Sequence, residues 1–160
     1  MKIAILTQPL GHNYGGLLQA FALQRFLKDR GHAVETFDRR MPVRVGTSVL
    51  RLGADVAKLA LGRIKTIPTR PTLERMYQEL IDFRERRISL SARIVSESQL
   101  REYAREAAFE AYIVGSDQVW RPRYSPSIEN YFLNFLDGIG SSARRLSYAA
   151  SFGVDKWEFT

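Results

Sequence analysis

"KIAILTQPLGHNYGGLLQAFALQRFLKDRGHAVETFD", residues 2–38, sets the fold class. Lys2 to Thr7 is a short apolar run suited to a buried strand. Gln8 to Gly16 is polar, glycine-rich loop. In the next stretch Leu18, Ala22 and Phe26 share one helical face, with Ala20, Leu23 and Leu27 beside them, while Gln19, Gln24, Arg25 and Lys28 stay off it. Gly31 closes the helix as a C′ glycine does, and Ala33 to Phe37 is a second strand ending at Asp38. Strand, loop, helix and strand in so short a span make a βαβ unit, whose crossover forces the strands parallel.

The rest of the chain extends that pattern. Thr47 or Ser48 caps a helix running to about Arg63, and a second helix runs from about Pro71 through Leu73, Met76, Tyr77 and Leu80. Together they form a helical excursion over about 45–90. The pair Ser96 and Gln99 has capping-box spacing and starts a helix with Leu100, Tyr103 and Ala104 inward. Tyr112 to Val114 is the next strand, expected to stop at Gly115, and Arg145 to Ser151 a later one. The expected class is α/β, a doubly wound Rossmann-like parallel sheet in one domain over 1–160. Four strands are visible where such sheets have five or six, so the expectation is an N-terminal piece of a longer protein. Asp155 reads as an N-cap, with Trp157 and Phe159 opening a further helix.

Composition narrows the function classes. With 160 residues and no cysteine, disulfide and thiolate chemistry are excluded, and a reducing, cytoplasmic setting fits. No apolar run reaches the length of a membrane span. The formal charge is +7, concentrated between Arg39 and Arg93, where thirteen Lys/Arg face five Asp/Glu. Only Tyr77 and Phe83 interrupt that basic middle with aromatics, and both have core-like spacing, so nucleic acid is disfavoured.

In a doubly wound sheet, ligands bind at the carboxyl ends of the strands. Two segments fall there: Pro9 to Ala20, and "AYIVGSDQVWRP", Ala111 to Pro122. Gly15 and Gly16 open a helix without the spacing of a dinucleotide loop or a P-loop, and their plain alternative is a tight turn with close helix–strand contact. His12 lies in the same loop, next to Asn13; a solvent-exposed or capping role is its plain alternative. No His/Asp/Glu cluster has metal-ligand spacing, so no metal is expected. Ser116 lacks the G-x-S-x-G elbow. Asp117 either caps a turn or acts on a ligand. With it come Gln118, Trp120 and Arg121: a carboxylate and an amide suit sugar hydroxyls, an indole suits a pyranose face, and a guanidinium suits a carboxylate or phosphate. The plain alternative for Trp120 is burial in the core.

"NYGGLLQAFALQRFLKDRGH" (13–32), "YIVGSDQVWRP" (112–122), "YFLNF" (131–135) and "RLSYAASFG" (145–153) occur in this order. Together they resemble the N-terminal half of the polysaccharide pyruvyl transferase family, over nearly the whole chain and least between Met41 and Ile94. The resemblance implies two Rossmann-like halves in a GT-B-like arrangement with the active site in the cleft. It implies transfer of a pyruvyl group from phosphoenolpyruvate, as donor substrate and without a cofactor, to hydroxyls of a cell-surface sugar as a ketal. The C-terminal half of the same protein would hold most of the donor site. The acceptor would be a sugar or oligosaccharide, free or lipid-linked, met in the cytoplasm or at the membrane surface. Asp117 would then be the base or hold the acceptor, and His12 would contribute a proton. Asn13, Gly15, Gly16, Ser116, Gln118, Trp120 and Arg121 would bind substrate. Two other readings stay open: half of a glycosyltransferase using a nucleotide-sugar, and a non-catalytic carbohydrate-binding module.

Overall fold

A computed structural model describes residues 1–11, 13–41, 45–63, 75, 77–139, 142–156 and 158. The chain divides into two units, one of Met1–Met41 with Leu80–Thr160 and one of Pro42–Glu79.

The larger unit is built on five parallel strands: β1 Lys2–Leu6, β2 Ala33–Arg39, β3 Leu90–Ile94, β4 Ala111–Asp117 and β5 Arg144–Ala150. Their order is β3-β2-β1-β4-β5, an α/β sheet of Rossmann-like arrangement. From β1 the chain moves outward to β2 and β3, then crosses back to lay β4 against the other side of β1. The strand order therefore reverses between β1 and β4, and the loops leaving those two strands splay apart there.

Alternation along the strands assigns the two faces. Ile3, Ile5, Val34, Ala111 and Ile113 meet Leu23 of helix α1 (Tyr14–Lys28). Ala4, Leu6, Phe37, Tyr112 and Val114 form the larger core with Leu100 and Ala104, which belong to a later helix (Glu97–Ala107). That helix starts as its sequence predicts: Ser96 Oγ accepts from the Gln99 N–H, and Gln99 Oε1 accepts from the Ser96 N–H. The helices α2 (Val45–Ala60) and α3 (Gln78–Arg87) precede it, and the capped helix is α4. Three short 3-10 turns, Pro122–Tyr124, Ile128–Phe132 and Asn134–Leu136, fill the path from β4 to β5.

Several expectations are corrected. A fifth strand, β3, stands beyond the four expected; it carries little sequence signal because it is an edge strand in which only Ser91 and Ile94 are buried. It falls at the end of the span assigned to a helical excursion, and it ties to β2 through Ser91 Oγ, which accepts from the Asp38 N–H. Strand β4 does not stop at Gly115 but runs on to Asp117. The buried face of α1 is also rotated from the expected one. Leu17, Ala20, Leu23 and Gln24 are buried, whereas Leu18, Ala22 and Phe26 are exposed. Gln24 turns inward because its amide has partners there: it donates to Thr36 Oγ1 and the Ser89 carbonyl and accepts from the Ser89 N–H. On the same face as α1, Leu146 and Tyr148 of edge strand β5 are 49% and 56% exposed.

The smaller unit contains α2, which begins at Val45, ahead of the expected caps at Thr47 and Ser48. Val56, Leu59 and Leu61 are exposed, and Lys58 pairs with Asp55 at 3.2 Å. The expected helix start at Pro71 and the expected helix around Trp157 and Phe159 lie outside the described residues. Among the described residues no helix is long and apolar enough to cross a membrane.

Candidate functional site

The strand reversal places the β1–α1 loop beside the end of β4. Two adjoining hollows lie there. A cleft of about 30 Å³, space for roughly one water, is lined by Thr7, Gln8, Asn13, Gly16, Ser116 and Asp117 among others. An open groove of about 480 Å³ is lined by Gln8, Asn13, Asp117, Gln118, Arg123 and Tyr124, with Pro9 and Met41. Asp117 and Asn13 belong to both. Gln8 spans the reversal by donating its Nε2–H to the Gln118 carbonyl at 2.8 Å.

Local geometry explains how β4 delivers Asp117. Gly115 has φ +148, and a Cβ there would sit 2.0 Å from the Tyr148 carbonyl oxygen of β5. Only glycine lets the two strands stay in register at that point. Asp117 has φ +66, a left-handed conformation that costs a non-glycine residue energy. Its carbonyl accepts from the Val119 and Ser151 N–H groups, both at 2.8 Å, which holds the backbone in that shape. Among the described residues the Asp117 carboxylate has no hydrogen-bond or ionic partner, so it is not engaged as a cap.

Asn13 precedes α1 in extended conformation, and its side chain makes no capping bond. Among the described residues, the nearest neighbour of a Cβ on Gly15 or Gly16 would be the Asn13 side chain, at 3.5 and 3.4 Å. Gly16, in the first turn of α1, lines the cleft. Ser116 is buried and lines the cleft. His12 lies outside the described residues.

Gln118 and Arg121 are drawn into an internal network. Arg121 donates to both carboxylate oxygens of Glu158 and to Gln118 Oε1, the last at 2.8 Å. Glu158's hydrogen bonds raise the Arg121 pKa above its ordinary value, and Arg121's hydrogen bond lowers that of Glu158. Arg121 lines a separate hollow with Phe152 and Glu158 rather than the groove. Trp120 lines neither the cleft nor the groove. Its Nε1–H donates to the Tyr131 carbonyl at 3.0 Å, and its ring stacks on Phe132 at 5.6 Å and 9°. Tyr131 itself is buried, with its hydroxyl donating to the Thr7 carbonyl, and burial pushes its pKa well up.

A second polar group lies near the carboxyl end of β2. Arg39 is buried, and burial lowers its pKa; it donates to Asn130 Oδ1 at 3.2 Å. Arg40 Nε is 2.6 Å from Asp38 Oδ1 without the alignment of a hydrogen bond, which is made instead by Nη2 to Oδ2 at 3.1 Å. Asp38 is thus held by Arg40.

Gln8, Arg123 and Tyr124 line the groove without having been singled out in the sequence. Gln8 is the first side chain past Thr7 with an amide, which marks it by the same strand-end logic as Asp117. Arg123 and Tyr124 follow Pro122, which occupies the first position of its turn. Comparison with family models, with curated proteins and with solved structures found no match.

Proposed function

We propose that this chain is the acceptor-side half of a polysaccharide pyruvyl transferase, one of two Rossmann-like halves in a GT-B-like architecture. The observation that carries the proposal is the Asp117 carboxylate at the strand reversal, without a partner among the described residues, sharing an open groove with the amides of Gln8, Asn13 and Gln118. Amides and a carboxylate are the groups that bind and deprotonate sugar hydroxyls.

The chemistry balances as follows. The methylene of phosphoenolpyruvate gains a proton, leaving an oxocarbenium-like centre. One sugar hydroxyl attacks it and loses its proton to a base, the role proposed for Asp117. A second hydroxyl attacks the same carbon as phosphate leaves. Of the two hydroxyl protons, one ends on the new methyl and one on phosphate. His12 is the proposed proton donor. Cations for the phosphate come from the second half, with the acceptor free or lipid-linked on the cytoplasmic side.

The test compares this chain with the same chain joined to the remainder of its reading frame. Both are incubated with phosphoenolpyruvate and a panel of sugars, and phosphate release and ketal formation are followed. The joined protein is expected to turn over and this chain to be silent. Glycosyl transfer from a nucleotide-sugar by the joined protein, with no ketal, overturns the proposal.

A further inference from the structure

The groove has an aromatic wall, and it is not the indole. Trp120 has its N–H on a backbone carbonyl and Phe132 stacked on its ring, as described above. Tyr124 is 42% exposed and lines the groove beside Asp117 and Gln118. Its ring is carried on the 3-10 turn Pro122–Tyr124, whose backbone closes with the Tyr124 N–H on the Arg121 carbonyl at 3.0 Å. The Arg121 guanidinium lies 4.9 Å over the ring centroid. Glu158 and Gln118 hold that guanidinium through hydrogen bonds where it backs the ring.

A pyranose has an apolar C–H face and a rim of hydroxyls. A flat ring supplies a surface for the first, and amides with a carboxylate supply partners for the second. Resting on the acceptor-half proposal, we propose that Tyr124 is the residue on which a pyranose of the acceptor stacks, presenting a hydroxyl pair to Asp117, with Arg121 as a positioning residue behind it. Arg121 therefore acts through Tyr124 and not as an anion clamp.

An array of immobilised pyranosides with hexose, N-acetylhexosamine and uronic acid termini tests this. It is probed with the 160-residue chain and with Tyr124→Leu, Tyr124→Phe and Trp120→Phe, each checked for folding by circular dichroism. The unaltered chain is expected to be retained by a subset of the array. Tyr124→Leu should bind that subset about tenfold or more weakly, as stacking contacts on other flat ligands do, while Tyr124→Phe stays within about twofold. Trp120→Phe should melt at lower temperature and still bind. Retention of Tyr124→Leu at the level of the unaltered chain overturns the role of Tyr124. If Tyr124→Leu does not fold, the Tyr124 ring resonances, assigned with Tyr124→Phe, are followed as the retained pyranoside is titrated, and unmoved resonances overturn it. Failure of the unaltered chain on every pyranoside overturns the acceptor-half proposal itself, and this inference with it.

Discussion

At the scale of the residue, Asp117 is the position where backbone cost and the proposed chemistry coincide. A left-handed φ at a non-glycine residue persists only where its surroundings hold it, and here two N–H groups on its carbonyl do so. Asparagine adopts that conformation more readily than most residues. Asp117→Asn is therefore expected to leave thermal stability equal to or slightly above the parent. In the joined protein it should lower kcat by about two to four orders of magnitude, the range for loss of a general base. Thermal melts and steady-state phosphate release check the two parts separately. Unchanged turnover in the folded variant would remove Asp117 from the chemistry.

At the scale of the element, α1 shows how a polar residue can orient a helix. Its apolar residues run round much of its surface, so hydrophobicity alone does not single out one face. Gln24, only 1% exposed, resolves the choice by bridging Thr36 of β2 and Ser89 just before β3. Its partners stitch β3, a strand with little apolar surface of its own, onto the sheet. Gln24→Leu keeps the volume and strands the Ser89 N–H, whereas the Ser89 carbonyl keeps the Thr36 N–H, so it should cost about 1–3 kcal/mol. Denaturant unfolding measures that cost. Hydrogen exchange should show β3 amides losing protection before those of β1. Equal protection loss across the sheet would show that Gln24 does not anchor β3 in particular.

At the scale of the whole molecule, buried and half-buried phenols couple stability to alkaline pH. Burial raises the Tyr112 pKa to about 12, against a smaller opposing effect of backbone hydrogen bonding, and its hydroxyl donates to the Ala104 carbonyl at 3.2 Å. Tyr103 is also raised to about 12, by burial and by its hydrogen bond to Glu35. In the unfolded chain a tyrosine titrates near 10. Between about pH 10 and 12 the unfolded chain has lost protons that the folded one keeps, so unfolding releases protons and stability falls as pH rises. The contribution is full below about pH 10 and is lost as pH rises through the folded value. Melting temperature measured from neutral to strongly alkaline pH should drop across that window, and Tyr112→Phe should make the drop shallower. An equally steep drop in Tyr112→Phe would exclude Tyr112 as a source.

The same three scales separate what the sequence by itself determined from what only the tertiary structure decided. The apolar runs Lys2–Leu6 and Ala111–Val114, the intervening helix and the Ser96–Gln99 box are local signals, and they established a parallel α/β sheet with its loops at one edge. They also located Asn13, Gly16, Ser116, Asp117 and Gln118 at that edge, because strand direction alone carries them there. The remaining features depend on partners far along the chain. Gln24 is buried by Ser89, 65 residues away, and Gly115 is required by the Tyr148 carbonyl of β5. Trp120 is turned from the groove by Tyr131 and Phe132, and Arg121 is claimed by Glu158, 37 residues on. Periodicity reports burial when the buried side chain is apolar. It is silent when a polar or amphipathic side chain is buried by a specific partner, because that free energy resides in the pair and exists only once the sheet has brought the pair together.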